Sequence, residues 1–365
     1  GSLFISGSRI GFDDGKNNVA IGKKALNANV VGTQNVAIGE NAMLDANHVN
    51  AVYNIAIGYN AGYSFGANNV YSNILIGRQA GYSINHADGS ETIAIGTNAG
   101  YDITSGQKNV LIGTEAGTNI TTGDYNTAVG TRALHGNDST ALTGVNNTAV
   151  GYQVGLDITT GTQNTLMGYL AGHNFTVAGH NTALGTEALA SEDVGDFTVA
   201  IGYRTGYYQN SDSNNEDAAN TLVGTGAGFY NVTGTKNTLL GRQAGLGVSG
   251  QSNSDNVAIG YRALYGVTTG HENTVIGKEA AYTLTSADNN VIIGYQTGYS
   301  LTTARYNVLI GDSAGYALST TSDNNENVMI GNSAGRNADA DTNAAHYNVY
   351  IGSGAGYYMD DGDSN

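Results

Sequence analysis

Three residue types that most proteins use are missing from this chain: its 365 residues include no proline, no cysteine and no tryptophan. The absence of cysteine excludes disulfide bonds and every metal site built on thiolates. The absence of proline is typical of a chain in which few backbone N–H groups lack a hydrogen-bond partner. Long apolar runs are missing too. None approaches the roughly 18 residues of a membrane span, so we expect no membrane insertion.

Charge is scarce and one-sided. Charged residues make up 12% of the chain, with 14 Lys and Arg against 30 Asp and Glu, which gives a formal net charge of −16. Because phosphate contacts require Lys and Arg, a nucleic-acid partner is not expected. The low charge and the 40% of hydrophobic residues also argue against a disordered chain. The abundant residues are Gly, with 54 copies, and Tyr, with 24.

A short repeat fills nearly the whole sequence. The stretch NTAVGTRAL at 126–134 has near copies throughout, and alignment on its Gly gives 19 copies from Gly22 to Gly352, spaced 17 to 22 residues apart. Such a period indicates stacked identical units rather than separate domains. The unit is too short for a helix pair and is rich in Asn, Thr, Val and Ile. The sequence therefore predicts an all-β parallel β-solenoid of about 19 coils, one for each repeat.

The repeated strand is apolar on both faces. The residue before the Gly is apolar in every copy, and Val or Thr usually stands two positions earlier, as in Ile21 and Val19. These two side chains share one face, which we expect to line the coil interior. The residue between them is also apolar, so we expect it to face another copy of the chain. The residues expected at this interface between copies are Ala128, Ala149, Leu166, Ala183, Leu222 and Leu239.

A second strand is predicted after the Gly of each repeat. Five residues after it Tyr is frequent, seven after it stands a large apolar residue, and a polar residue lies between them, as in Tyr63, Ser64 and Phe65. This alternation is typical of a strand with one buried face and one solvent-exposed face. We expect the Tyr side chains to form a stacked ladder in the core.

Asn provides a further regular position. It stands four residues before the Gly in 17 of the 19 copies, with Thr92 and Thr198 as the exceptions. Stacked Asn side chains can hydrogen-bond to one another along a solenoid, so we expect an amide ladder.

The rungs of the form N-V-A-I-G-x-x-A at 18–25, 35–42 and 256–263 resemble the head repeats of trimeric autotransporter adhesins. Strings such as NTLLGRQAGLG at 237–247 and NILIGRQAG at 73–81 are similar to tail-fibre repeats of bacteriophages. The resemblance implies a left-handed β-roll with three chains packed along one axis. Strand–crossover–strand units are usually right-handed, but that rule rests on longer crossovers than these coils allow.

From the repeat we expect a partial first coil, or a junction to a preceding domain, in residues 1–15. A continuous solenoid domain should fill residues 16–358, and residues 359–365 should be a tail left by truncation or cleavage. The resemblance implies the rod-like shaft or head of a phage tail fibre, outside the cell and on the virion, presenting loops to a host-surface glycan or protein. The head of a bacterial trimeric surface adhesin is the alternative, and a glycan-cleaving tailspike or an ice-binding solenoid is a second one.

Candidate sites are few. The seven His residues are scattered without ligand spacing, so we expect no metal site and no cofactor. No catalytic constellation is visible, and we do not expect an enzyme. Acidic loops around Asp212 and Asp323 and in the tail could hold calcium weakly, but solvated loops are the more ordinary interpretation. The best candidates for receptor contact are Tyr207, Tyr208 and Asn210, because aromatic rings beside amides suit sugars.

Overall fold

The computed structural model describes residues 2–5, 8–12, 16–27, 32–46, 51–65, 69–84, 91–137, 139–211, 217–318, 325–337 and 346–358. The chain divides into two compact units, Gly1–Asn181 and Thr182–Asn365. The described part of both units is all-β, without a helix. The predicted all-β parallel β-solenoid is therefore confirmed, because each unit is a stack of short parallel strands, one for each repeat.

The first unit contains a hairpin and nine rungs. Its strands are β1 Ser2–Ile5, β2 Ser8–Phe12, β3 Val19–Gly22, β4 Val36–Ile38, β5 Ile55–Ile57, β6 Ile74–Ile76, β7 Ile93–Ile95, β8 Val110–Ile112, β9 Thr127–Val129, β10 Thr148–Val150 and β11 Thr165–Met167. Each rung from β3 onward pairs in parallel with the next. The segment 1–15, separated above from the repeats, supplies the antiparallel pair β1–β2, and β2 pairs antiparallel with β3.

The second unit contains ten rungs. They are β12 Thr182–Leu184, β13 Val199–Ile201, β14 Thr221–Val223, β15 Thr238–Leu240, β16 Val257–Ile259, β17 Thr274–Ile276, β18 Val291–Ile293, β19 Val308–Ile310, β20 Val328–Ile330 and β21 Val349–Ile351. All neighbouring pairs are parallel and place equivalent residues opposite each other. Equivalent side chains therefore form columns along each unit.

We name these columns by their distance from the Gly that follows each strand, the coil Gly. The inner column holds the residue two positions before it, such as Ala128, and is buried in every rung. The two outer columns hold the residues one and three positions before it, such as Val129 and Thr127, and are half-buried or exposed in every rung. The Asn column holds the residue four positions before it.

The predicted second strand is wrong. We call the seven residues after each coil Gly the turn ribbon; where they are described, they consist mainly of turns and contain no strand. Its second and fourth residues have positive φ, as at Asn60 with 55° and Gly62 with 58°, and such residues cannot continue a strand. The ribbon still joins coils, because the Gly62 N–H donates to the Ala80 carbonyl at 2.9 Å and the Ser64 N–H to the Tyr82 carbonyl at 2.9 Å.

The predicted amide ladder is confirmed. In a typical step, the Asn54 backbone N–H donates to Asn35 Oδ1 at 3.0 Å, the Asn54 Nδ2 donates to the same oxygen at 3.2 Å, and Nδ2 also donates to the Val70 carbonyl at 2.8 Å. The described Asn column is almost fully buried from Asn35 onward, and this bonding satisfies polar groups that would otherwise be costly there.

The core of most coils contains a complementary pair of residues, one large and one small. Where the inner column carries Leu, Ile, Met or Tyr, the fourth ribbon residue is Gly, and where that ribbon residue is Leu or Met, the inner residue is Ala. Leu111 with Gly117 and Ala128 with Leu134 are examples. A Cβ on Gly117 would lie 2.7 Å from Leu111 Cδ2, so the two positions share one space.

This pairing predicts a rescue by double substitution. Leu111→Ala should destabilise the first unit by about 2–5 kcal/mol, because it leaves a cavity. Gly117→Leu should cost roughly 1–3 kcal/mol through overpacking. The double variant reproduces the Ala128 and Leu134 arrangement, in which Leu134 already adopts φ of 47°. It should therefore recover most of the loss in urea denaturation, and additive losses would show that the two side chains do not share a space.

Candidate interaction surfaces

The six residues expected at an interface lie inside the chain. Ala128, Ala149, Leu166, Ala183 and Leu239 are 0% exposed and Leu222 is 1% exposed. Their side chains cannot meet another copy, so the predicted assignment of faces is wrong. The physical reason is the short distance across each coil, which leaves room for the inner column and the ribbon residues but for no further layer.

The outer columns are the apolar face that one copy leaves uncovered. Ile112 is 38% exposed, Ile201 37% and Met167 50%. In the first unit these columns consist of Val, Ile, Thr and Met, and no charged residue interrupts them between β3 and β11. A regular apolar surface of this kind is typical of a buried interface rather than of a free surface.

The sequence contained a signal for the correct assignment. In most repeats a large residue at the inner position or at the fourth ribbon position accompanies a small one at the other, as in Leu75 with Gly81 and Ala37 with Met43. Such compensation within a repeat indicates packing inside one coil. The outer columns show no comparable compensation.

Aromatic side chains form stacks on the turn ribbon. Tyr63, Tyr82 and Tyr101 stack with centroid distances of 4.9 and 4.8 Å, and Tyr265, Tyr282, Tyr299 and Tyr316 form a second stack with distances from 4.8 to 5.1 Å. The predicted stacking is confirmed, but the rings are half-buried at the surface rather than in the core. Partial burial, followed by the adjacent Tyr hydroxyls, raises the pKa of Tyr82 and of Tyr299.

The candidate receptor residues Tyr207, Tyr208 and Asn210 lie together at the end of one turn ribbon. Tyr208 is 44% exposed and Asn210 is exposed. Tyr207 stacks on Phe229 at 5.5 Å, and Tyr208 stacks on Tyr230 at 5.5 Å. The Arg204 guanidinium lies over the Tyr207 ring at 5.5 Å, and its hydrogen bond to Glu187 raises its pKa. An aromatic surface with a neighbouring cation is thus in place.

Other candidate residues do not converge on a site. In the described part of the chain, no group of three or more His, Asp and Glu side chains is placed to hold a metal ion. His135, His173, His180, His271 and His346 lie in separate coils. His48, His86, Asp212, Glu216, Asp323 and the tail 359–365 lie outside the described residues, so the acidic-loop prediction stays a prediction.

No protein family, no curated protein and no solved structure matches this chain. Within the described ranges, no helix has the length and apolar character needed to cross a membrane. The geometry of the two surfaces, the outer columns and the aromatic ribbon, is therefore the basis for a functional proposal.

Proposed function

We propose that this protein is a structural and adhesive fibre component whose copies pack against one another through the outer columns. The observation that carries the proposal is the uncovered face that Val, Ile, Leu, Thr and Met form along the rungs. Burial of apolar surface stabilises an assembly by about 25 cal/mol per Å². A face repeated in every rung can add this contribution rung by rung.

The number of copies and the biological setting rest on the resemblance to phage tail-fibre repeats and to the heads of trimeric adhesins. They support a homotrimer outside the cell, on a virion or a bacterial surface, that presents ribbons and loops to a host glycan or protein. The left-handed coil belongs to the same proposal. A phage fibre is preferred over a bacterial adhesin because the longer strings, such as 237–247, are similar to the fibre repeats.

The mass of the assembly in solution tests the proposal. Light scattering coupled to size-exclusion chromatography should give about 112 kDa, which is three times the chain mass of 37.5 kDa. Removal of the apolar face from water is the reason to expect no free monomer. A folded, soluble species of 37.5 kDa would overturn the proposal, and a dimer would overturn the number three.

Ice binding is a second candidate, because Thr occupies an outward position in several rungs. Thr127, Thr148 and Thr165 succeed one another in the first unit, and all three lie in an outer column. The two functions compete for one face, since a face buried between copies cannot contact ice. Thermal hysteresis in a monomeric sample would favour ice binding. Its absence, together with a trimer mass, would favour the fibre.

A further inference from the structure

Two aromatic stacks of the second unit end at the same place. In the column of fifth ribbon residues, Tyr207 and Phe229 stack, but the next member is Leu246. In the column of sixth ribbon residues, Tyr208 and Tyr230 stack with their planes 8° apart, but the next member is Gly247. Neither Phe229 nor Tyr230 therefore has a stacked ring in the following coil, and because their planes lie 87° apart, the two rings present different faces.

The turn ribbon also lacks a side chain next to the ends of these two aromatic stacks. The second ribbon residue usually carries a long polar side chain, such as Arg204, Gln243 or Arg262, but in the coil between Arg204 and Gln243 it is Gly226. A Cβ on Gly226 would have no neighbour nearer than 3.8 Å. The missing side chain leaves a groove of about 390 Å³ whose lining includes Tyr203, Gly226, Phe229, Tyr230, Arg242 and Tyr265.

Positive charge is concentrated around this groove. The chain has eight Arg residues and a net charge of −16, yet Arg204 and Arg242 line the groove. Arg262 contacts two lining residues, Gln243 and Tyr265. Arg204 is paired with Glu187, and Arg262 donates to Gln243 Oε1 at 2.9 Å. Arg242 is exposed, and among the described residues it forms no salt bridge. Its planar donor group suits a carboxylate or sulfate.

We propose that this groove binds an anionic saccharide, with a sugar ring on the free face of Tyr230 and the acid group on Arg242. The proposal rests on the adhesive function proposed above and names the class of its receptor. The volume is in the range of sites for small ligands. Pyranose rings carry flat apolar faces, which pack on aromatic rings whose polar edges remain in water.

An acidic peptide fits this groove less well. Extended peptides usually bind by hydrogen bonds to free backbone groups at a sheet edge. Here alternate backbone N–H groups of the ribbons are already used between coils. The Gly226 N–H donates to the Tyr203 carbonyl at 3.0 Å, the Tyr230 N–H to Leu246 at 2.9 Å and the Gly247 N–H to Tyr265 at 3.2 Å. The groove therefore offers an extended peptide no sheet edge to pair with, whereas a saccharide can be held by side chains.

Isothermal titration of the purified full chain tests the proposal with four probes. They are a trigalacturonate, a sulfated trisaccharide, the neutral maltotriose and a hexaglutamate peptide. We expect the carboxylated or the sulfated trisaccharide to bind at least roughly tenfold more tightly than maltotriose, since one charge-assisted hydrogen bond is worth about that factor. Comparison of the two acidic sugars identifies the acid group. Equal binding of maltotriose, tighter binding of the peptide, or no binding of either acidic sugar would overturn the proposal.

Two variants and a matched control locate the binding. Arg242→Gln should weaken it about tenfold, and Gly226→Gln should abolish it by filling the groove. Gln is accepted at this ribbon position with positive φ, as at Gln243 with 59°. Arg78→Gln is the control, because Arg78 and Arg242 occupy the same position in two copies of the pentapeptide GRQAG. The coil before Arg78 has Asn60 at the ribbon position where the coil before Arg242 has Gly226, so the groove is expected only beside Arg242. Equal losses in Arg78→Gln and Arg242→Gln would contradict the assignment.

The titration separates this inference from the fibre proposal, because it needs neither assembly nor a host cell. A trimer that binds none of the sugars would refute the groove and leave the fibre standing. A monomer that binds trigalacturonate through Arg242 would support the groove and refute the fibre proposal.

Discussion

The double substitution Ile57→Lys and Ile76→Lys is expected to convert the proposed assembly into separate, folded chains. Both side chains lie in an outer column of the first unit, on the adjacent rungs β5 and β6, and neither is part of the core. In a trimer the change would place six like charges in a dry interface, where an unpaired charge costs several kcal/mol. Light scattering should show the mass of one chain, while circular dichroism retains the β signal.

The matched control carries the same charges on another face of the same coils. Ser64→Lys and Ser83→Lys lie on the turn ribbons that follow β5 and β6, where both Ser side chains are half-buried. This variant should keep the mass of the parent. If both double variants assemble equally well, the outer columns are not the interface. If the Ile variant loses its β signal instead, these side chains stabilise the fold of the single chain and the outer columns are part of its core.

Most of the fold could be predicted because the repeat is short and regular. The period from Gly22 to Gly352 defines one coil for each copy, and the Asn column defines the register between coils. The faces were harder to predict, because a strand such as Thr127–Val129 is apolar on both sides and alternation alone does not tell inside from outside. The paired sizes of Leu111 and Gly117 supply the missing information.

The second strand was predicted wrongly for a local reason. Tyr63, Ser64 and Phe65 alternate as a strand would, but the backbone before them is set by the positive φ of Asn60 and Gly62. Gly at the fourth ribbon position was a visible signal of this conformation. The polar residue at the second position was a weaker one, since Asn tolerates positive φ better than Gln or Arg does.

Only part of the candidate receptor site could be predicted from the sequence. Tyr207 and Tyr208 are conspicuous as neighbouring aromatic residues, but their ring faces are partly used by stacking on Phe229 and Tyr230. The free face of Tyr230 depends on what stands one coil later, at Gly247. The absence of an aromatic residue at this position is evident only when the columns are aligned with the correct register between coils.

The substitution Asn290→Asp is expected to destabilise the second unit by several kcal/mol at neutral pH while changing almost no volume. Asn290 is 1% exposed, and its Nδ2 donates to Asn273 Oδ1 at 2.9 Å, to the Asp288 carbonyl at 3.0 Å and to the Ala304 carbonyl at 2.8 Å. In the variant, a carboxylate oxygen would face these three oxygens. A carboxyl whose pKa rises by about three in the folded state loses about 4 kcal/mol at neutral pH.

The direction in which the stability loss of Asn290→Asp changes with pH shows whether the charge of the new carboxylate causes it. Because the folded state raises the pKa of the new carboxyl, the loss relative to the parent should be present at pH 7. It should shrink as the pH falls through the raised pKa, since a protonated Asp can donate one of the lost hydrogen bonds. Urea denaturation of parent and variant at pH 7 and pH 5 measures this difference. A loss that grows on acidification would contradict a buried carboxylate facing oxygens.

Asn290→Thr is the control, because the chain itself carries Thr92 and Thr198 in this column. Thr92 is buried, and its hydroxyl has no hydrogen-bond partner among the described residues, yet the Thr92 N–H still donates to Asn73 Oδ1 at 2.9 Å. The Thr variant should therefore keep the backbone link to Asn273, but it loses the bonds of the Asn290 side chain, including the one that Oδ1 accepts from the Asn307 N–H at 3.0 Å. Each buried group left unpaired costs about 1–3 kcal/mol, and this cost should not change with pH. If Thr costs as much as Asp at pH 7, the ladder stabilises the coils through its geometry, and the charge of the new carboxylate is not the cause.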